Sequence, residues 1–150
     1  MELKQQTSFN ILLADDDADD CFFFKSALEK LKLSTQLTTV NDGEELMKYL
    51  SENSDQLPDV LFLDINMPRK NGIECLSEIK QNAKLKNIPV VMFSTNKSHD
   101  TINKLFKGGA NIYVTKPGDF TELVQLIGHA IPIASEQKFS KSKVNYILNA

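Results

Sequence analysis

Five short apolar runs, each followed by a segment of helical periodicity, constrain this chain more than any other feature of its sequence. The runs cover residues 9–14, 37–40, 60–63, 88–93 and 112–115. They are rich in Ile, Val, Leu and Phe and are nearly continuous, so both faces of each strand are expected to be covered, as in a parallel sheet between helices. The run at 37–40 is the weakest and reads as an edge strand. Between the runs, Phe24, Ala27, Leu28 and Leu31 fall at i, i+3, i+4, i+7, as do Gly43, Leu46, Met47 and Leu50, and Phe120, Leu123, Val124 and Ile127. Ile73, Leu76 and Ile79, and Ile102, Leu105 and Phe106, give shorter stripes. Asp17 with Asp20, Asp42 with Glu45 and Asp119 with Glu122 read as acidic helix starts. Gly108–Gly109 reads as the stop of the fourth helix and Pro132 as the end of the fifth.

Strand and helix alternate five times, which predicts a doubly wound α/β domain over residues 8–131, with an extension at 1–7 and a tail at 132–150. Right-handed crossovers gather the carboxyl ends of parallel strands at one sheet edge, where such folds bind ligands. The residues just after each strand are therefore expected to converge.

Composition narrows the function classes. The 150 residues carry 17 Lys and Arg against 20 Asp and Glu, a net charge of −3, with 41% hydrophobic and 25% charged residues. These are globular proportions, and the length suffices for one core. Cys21 and Cys75 make neither a disulfide framework nor a Cys-x-x-Cys spacing and are expected to be packing residues. No apolar run approaches a membrane span and residues 1–10 hold no apolar signal core, so a cytoplasmic location with no membrane partner is expected. Mild acidity argues against nucleic acid as a partner.

The strand ends carry the chemistry. Asp15, Asp16 and Asp17 follow the first strand, with Asp19 and Asp20 just beyond. Asp64 ends the third, Ser94 and Thr95 the fourth, and Lys116 follows the fifth. Crowded carboxylates repel until a divalent cation relieves them, and oxygen donors without nearby His or Cys point to Mg²⁺ rather than Zn²⁺. An Asp beside such a metal, flanked by an ammonium and a hydroxyl, is placed to accept a phosphoryl group. Asp17, Asp19 and Asp20 are read as helix-capping acids. Asp64 is a poor cap, because Gly72 opens the next helix several residues later. His99 and His129 are read as surface residues. Phe22, Phe23 and Phe24 cannot share a helix face, so one is expected to be exposed.

Four segments in order, ILLADDD (11–17), LFLDINMP (61–68), IPVVMFST (88–95) and GANIYVTKP (109–117), resemble a response-regulator receiver domain of two-component signalling. The resemblance implies a flavodoxin-like fold with strand order 2-1-3-4-5. It implies Asp64 as phospho-acceptor, Asp15 and Asp16 as the acidic pair holding Mg²⁺ together with Asp64 and the backbone carbonyl of Asn66, Lys116 as the essential lysine, and Ser94 and Tyr113 as the switch pair. Tyr113 is expected to become more buried when Ser94 moves to the phosphoryl group. Thr95, where the family usually has Ala or Gly, is expected with Asn96 to modulate access. Gly118 replaces a frequent Phe.

The resemblance further implies a stand-alone regulator, not an enzyme on other substrates. A histidine kinase or histidine phosphotransfer protein would phosphorylate it, and an unknown downstream protein would read it. Residues 132–150 are too few for a DNA-binding domain. Two alternatives stand beside this reading. One is a Mg²⁺-dependent aspartyl-phosphate phosphohydrolase, disfavoured because Asn66 occupies the place of that class's second Asp. The other is a degenerate receiver acting only as a binding module, disfavoured by the complete set Asp15, Asp16, Asp64, Ser94 and Lys116. A nucleotide-binding domain fits poorly, because no Gly-rich loop follows the first strand. The Lys116–Pro117 bond is expected cis. The tail reads as a frayed basic terminus carrying Lys138, Lys141 and Lys143, or as a helical face of Val144, Ile147 and Leu148.

Overall fold

The computed structural model describes residues 8–137 and 145–149; the extension at 1–7, Val144 and the three tail lysines lie outside the described residues. Chain order is β1 (Ser8–Ala14), α1 (Ala18–Lys30), β2 (Ser34–Val40), α2 (Gly43–Glu52), β3 (Val60–Leu63), α3 (Gly72–Gln81), β4 (Val90–Ser94), α4 (His99–Lys107), β5 (Ile112–Thr115), α5 (Phe120–Gln137) and β6 (Tyr146–Leu148). All pairs are parallel, in the order β2-β1-β3-β4-β5-β6. The flavodoxin-like 2-1-3-4-5 order is thus present, with β2 as one edge.

Alternation along each strand divides the core in two. Leu12, Leu61, Leu63, Val90, Met92 and Tyr113 pack with residues of α2, α3 and α4. Ile11, Leu13, Val60, Phe62, Val91, Phe93, Ile112 and Val114 pack with residues of α1 and α5. Phe24 of α1 meets Phe62 and Phe93 edge-to-face at 4.9 and 5.7 Å, the geometry that aromatic quadrupoles favour. This packing fixes α1 over the centre of the sheet and its first turn beside the carboxyl ends of β1, β3 and β4.

The acidic helix starts are formed as expected: Asp17, Asp42 and Asp119 accept the backbone N–H of Asp20, Glu45 and Glu122. A further cap is a reciprocal box between Asn71 and Glu74 at the start of α3. Gly108 caps α4, and Gly109 follows with φ +111°.

Five expectations are corrected. Pro132 lies inside α5, which runs on to Gln137. Pro132 is exposed, while Leu123, Ile127, Ala130, Ile131 and Ala134 bury a continuous stripe whose packing outweighs the lost hydrogen bond. The tail is neither frayed nor helical over 146–148 but adds β6 to the open edge of β5, with the Tyr146 N–H donating to the Asn111 carbonyl. Both Phe22 and Phe23 are exposed, because the narrow buried face of α1 admits only Phe24. Ile73 is exposed, and the buried stripe of α3 runs through Cys75, Leu76 and Ile79 instead. The described residues contain no cis peptide bond, so Lys116–Pro117 is trans. The Lys116 ammonium reaches the sheet edge without the cis turn, and the trans state keeps its intrinsic advantage of roughly 0.5–1 kcal/mol.

Candidate functional site

The carboxyl ends of β1, β3, β4 and β5 bring the sequence-selected residues together. Asp15, immediately after β1, is fully buried (0% exposed) and Asp64, immediately after β3, nearly so (7%), whereas Asp16 is exposed. Carboxylate oxygens of these three lie within 4.8 Å of one another, the one such acidic group among the described residues. Lys116, carried in by β5, puts its Nζ 2.8 Å from Asp15 Oδ2 and 3.4 Å from Asp64 Oδ2, and 5.2 Å from the centre of the Phe93 ring.

Each carboxylate has a distinct use for its oxygens. Asp15 Oδ1 accepts the Asp17 N–H at 2.9 Å, and its Oδ2 takes the lysine. Asp64 Oδ1 accepts the Ile65 N–H at 2.8 Å, leaving Oδ2 toward the open edge and Lys116. Burial pushes the Asp64 carboxyl up to about 6, with Lys116 opposing and Asp15 reinforcing the rise. Burial likewise raises Asp15, opposed by its hydrogen bond from Lys116. For Lys116, burial works against the charged form, but the bonds to Asp15 and Asp20 and the charges of Asp15 and Asp64 outweigh it and hold the ammonium above the usual lysine range. Three carboxylates, Asp15, Asp16 and Asp64, beside the single ammonium of Lys116 leave the site short of positive charge. A hard divalent cation fits that deficit, and the exposed Asp16 keeps the acidic group open to solvent.

The remaining residues surround this centre. Ser94 is buried, and its Oγ accepts the Asn96 N–H at 3.2 Å. Thr95 is exposed and Asn96 half-buried at the mouth. Asn66 is exposed two residues beyond Asp64. Tyr113 lies inward with 0% exposure, its hydroxyl donating to the Asn96 carbonyl at 2.5 Å. Asn96 thus gives the Tyr113 hydroxyl a partner inside, and the ring is enclosed. Burial raises the phenol, and Ser94 opposes that rise by hydrogen bonding. Cys21 and Cys75, both pushed up to about 11 by burial, are packing thiols.

Sequence reading missed three neighbours. Asn41, just after β2, donates from Nδ2 to the Asp15 carbonyl at 3.2 Å; the rule that strand-end residues converge would have found it. Asp20, read as a capping acid, places Oδ2 2.9 Å from Lys116 Nζ. Gly72 brings the start of α3 against the Asp64 backbone, its N–H donating to the Ile65 carbonyl, so that an added Cβ would stand 2.1 Å from the Asp64 carbonyl oxygen. No periodicity reports such an approach.

Comparison with known proteins identifies the family. The family model described as "Response regulator receiver domain" matches residues 11–128. "Response regulator Rcp1" of Synechocystis sp. is 34% identical over 122 residues, covering 78% of this chain and 82% of the relative. Among solved structures, the phosphorylated cyanobacterial phytochrome response regulator RcpA superposes with a TM-score of 0.76 at 34% identity, covering 83% of this chain and 91% of that one. The Mn²⁺-bound form of Rcp1 gives a TM-score of 0.73 at 29% identity, covering 90% and 98%. With the five-residue constellation at its strand ends and a family match over most of its length, this chain belongs to the response regulator receiver domain family.

Proposed function

We propose that this receiver domain accepts a phosphoryl group on Asp64 from a phosphohistidine of a histidine kinase or histidine phosphotransfer protein, in a Mg²⁺-dependent reaction, and thereby changes a surface read by a downstream protein. The observation that carries this reading is the set of three carboxylates within 4.8 Å beside a lysine shared by Asp15 and Asp64. Phosphorylated RcpA and Mn²⁺-bound Rcp1 support it by similarity. RcpA is a phytochrome response regulator, so a phytochrome-class histidine kinase is a donor to test.

In the transfer, the N–P bond of the donor imidazole breaks and an O–P bond to Asp64 Oδ2 forms. The imidazole nitrogen keeps the bonding pair and takes a proton from solvent. Asp64 attacks as the carboxylate, through the oxygen that faces Lys116. Lys116 supplies countercharge to the phosphoryl oxygens, and the Ser94 hydroxyl donates to one of them. Asp15, Asp16 and Asp64, with the backbone carbonyl of Asn66, would hold Mg²⁺, which when bound neutralises phosphoryl oxygen charge. Hydrolysis reverses the state: water attacks phosphorus, the acyl phosphate O–P bond breaks, and Asp64 returns as carboxylate with inorganic phosphate released. Thr95 and Asn96 flank the path of that water and set its access.

The test is transfer from a phosphorylated histidine phosphotransfer protein. Loss of donor label with gain on this chain, dependent on Mg²⁺, is expected. Steady hydrolysis of a small phosphoester by the chain would instead favour the phosphohydrolase, and a protein that binds partners without ever taking label would favour the degenerate module.

A further inference from the structure

The Lys116 ammonium has three N–H donors, and their allocation is uneven. Two short contacts go to Asp15 Oδ2 at 2.8 Å and Asp20 Oδ2 at 2.9 Å, while Asp64 Oδ2 stands at 3.4 Å. The ammonium thus rests on the α1 side of the site rather than on the nucleophile. Asp15 is wholly buried, and its other oxygen is held by the Asp17 N–H, so it cannot release the lysine to water. The Asp20 side chain is 39% exposed and its carboxylate is readily resolvated. A phosphoryl oxygen on Asp64 needs an N–H from Lys116, and Asp20 is the partner that competes for it.

We infer that Asp20 is a positioning residue: it holds Lys116 toward α1, opposes the lysine's approach to the phosphoryl group, and so slows phosphorylation and shortens the life of the phosphorylated state. This rests on Asp64 as phospho-acceptor. An ion pair with one partner at the surface is worth about a two- to five-fold change in rate or lifetime. Removing the Asp20 charge also makes the site less negative and weakens the helix-start electrostatics of α1. Asp19 shares that first turn and carries the same charge, but is exposed. Asp19→Asn therefore reproduces both general effects without touching the lysine seat.

The experiment compares wild type, Asp20→Asn and Asp19→Asn in two measurements. With acetyl phosphate and Mg²⁺, followed by intact mass, Asp20→Asn is expected to label about two- to five-fold faster and to keep its label correspondingly longer, with Asp19→Asn close to wild type. In the metal-free, unphosphorylated protein, lysine-selective ¹⁵N NMR is expected to show several-fold faster hydrogen exchange of the Lys116 ammonium in Asp20→Asn only. A labelled wild type with Asp20→Asn matching Asp19→Asn, or slower labelling in Asp20→Asn, or unchanged ammonium exchange, overturns this inference alone. A wild type that takes no label overturns the phospho-acceptor reading and this inference with it.

Discussion

Asp64 sits where the folded protein opposes its charge. Its carboxyl is raised to about 6 from an ordinary 3.8, chiefly by burial. A carboxyl raised on folding contributes stability that is complete below the unfolded value and is lost as pH rises through the folded one. The metal-free protein therefore loses stability from this group between about pH 4 and 6. A rise from 3.8 to about 6 corresponds to roughly 3 kcal/mol. Asp64→Asn is expected to raise the Tm of the metal-free protein by several degrees at pH 7.5 and to leave it nearly unchanged at pH 4, by thermal unfolding in chelator. Mg²⁺ is expected to raise the wild-type Tm at pH 7.5 and to do so much less in the variant. The residues of this centre were legible because each ends or follows a strand, and parallel topology forces strand ends together. Asp20 was not: its cap position explains it fully until α1 is placed over the sheet and its carboxylate is found on the lysine.

Close backbone approach governs the elements around the site. Gly72 lets α3 begin against the Asp64 carbonyl, which fixes the loop carrying Asn66. Gly72→Ala is expected to destabilise the fold by about 1–3 kcal/mol, the range for overpacking, and to slow labelling of Asp64, measured by urea unfolding and intact mass. At the other end of the sheet, buried Asn111 donates from Nδ2 to Gln137 Oε1 and its carbonyl accepts from Tyr146, tying α5 and β6 to the start of β5. Asn111→Ala is expected to cost about 1–3 kcal/mol and to increase amide exchange in the last turn of α5. The five main strands were readable as nearly continuous apolar runs, and the helices from a period of 3.6 residues. The last turn of α5 was hidden by Pro132, whose local penalty is overridden by the buried stripe. β6 was hidden because three residues carry no period, and because Ile147 and Leu148 fit a helical face with Val144 equally well.

The whole molecule keeps its chemistry on one sheet edge and its closure elsewhere. The parallel strands deliver acids, hydroxyl and lysine to their carboxyl ends, while β6 covers the backbone of β5 that would otherwise be an open edge. Tyr146→Pro removes the N–H that pairs with Asn111 and is expected to release β6. Hydrogen exchange is then expected to rise along the outer side of β5, while Asp64 labelling stays within about two-fold of wild type. Among the described residues, no helix is long and apolar enough to cross a membrane. On the proposed function, this edge holds a phosphoryl group on Asp64. Intact mass after incubation with acetyl phosphate tests it most directly. One added phosphoryl group is expected in the wild type with Mg²⁺, and none with chelator or in a folded Asp64→Asn protein. Equal labelling of wild type and Asp64→Asn would contradict it.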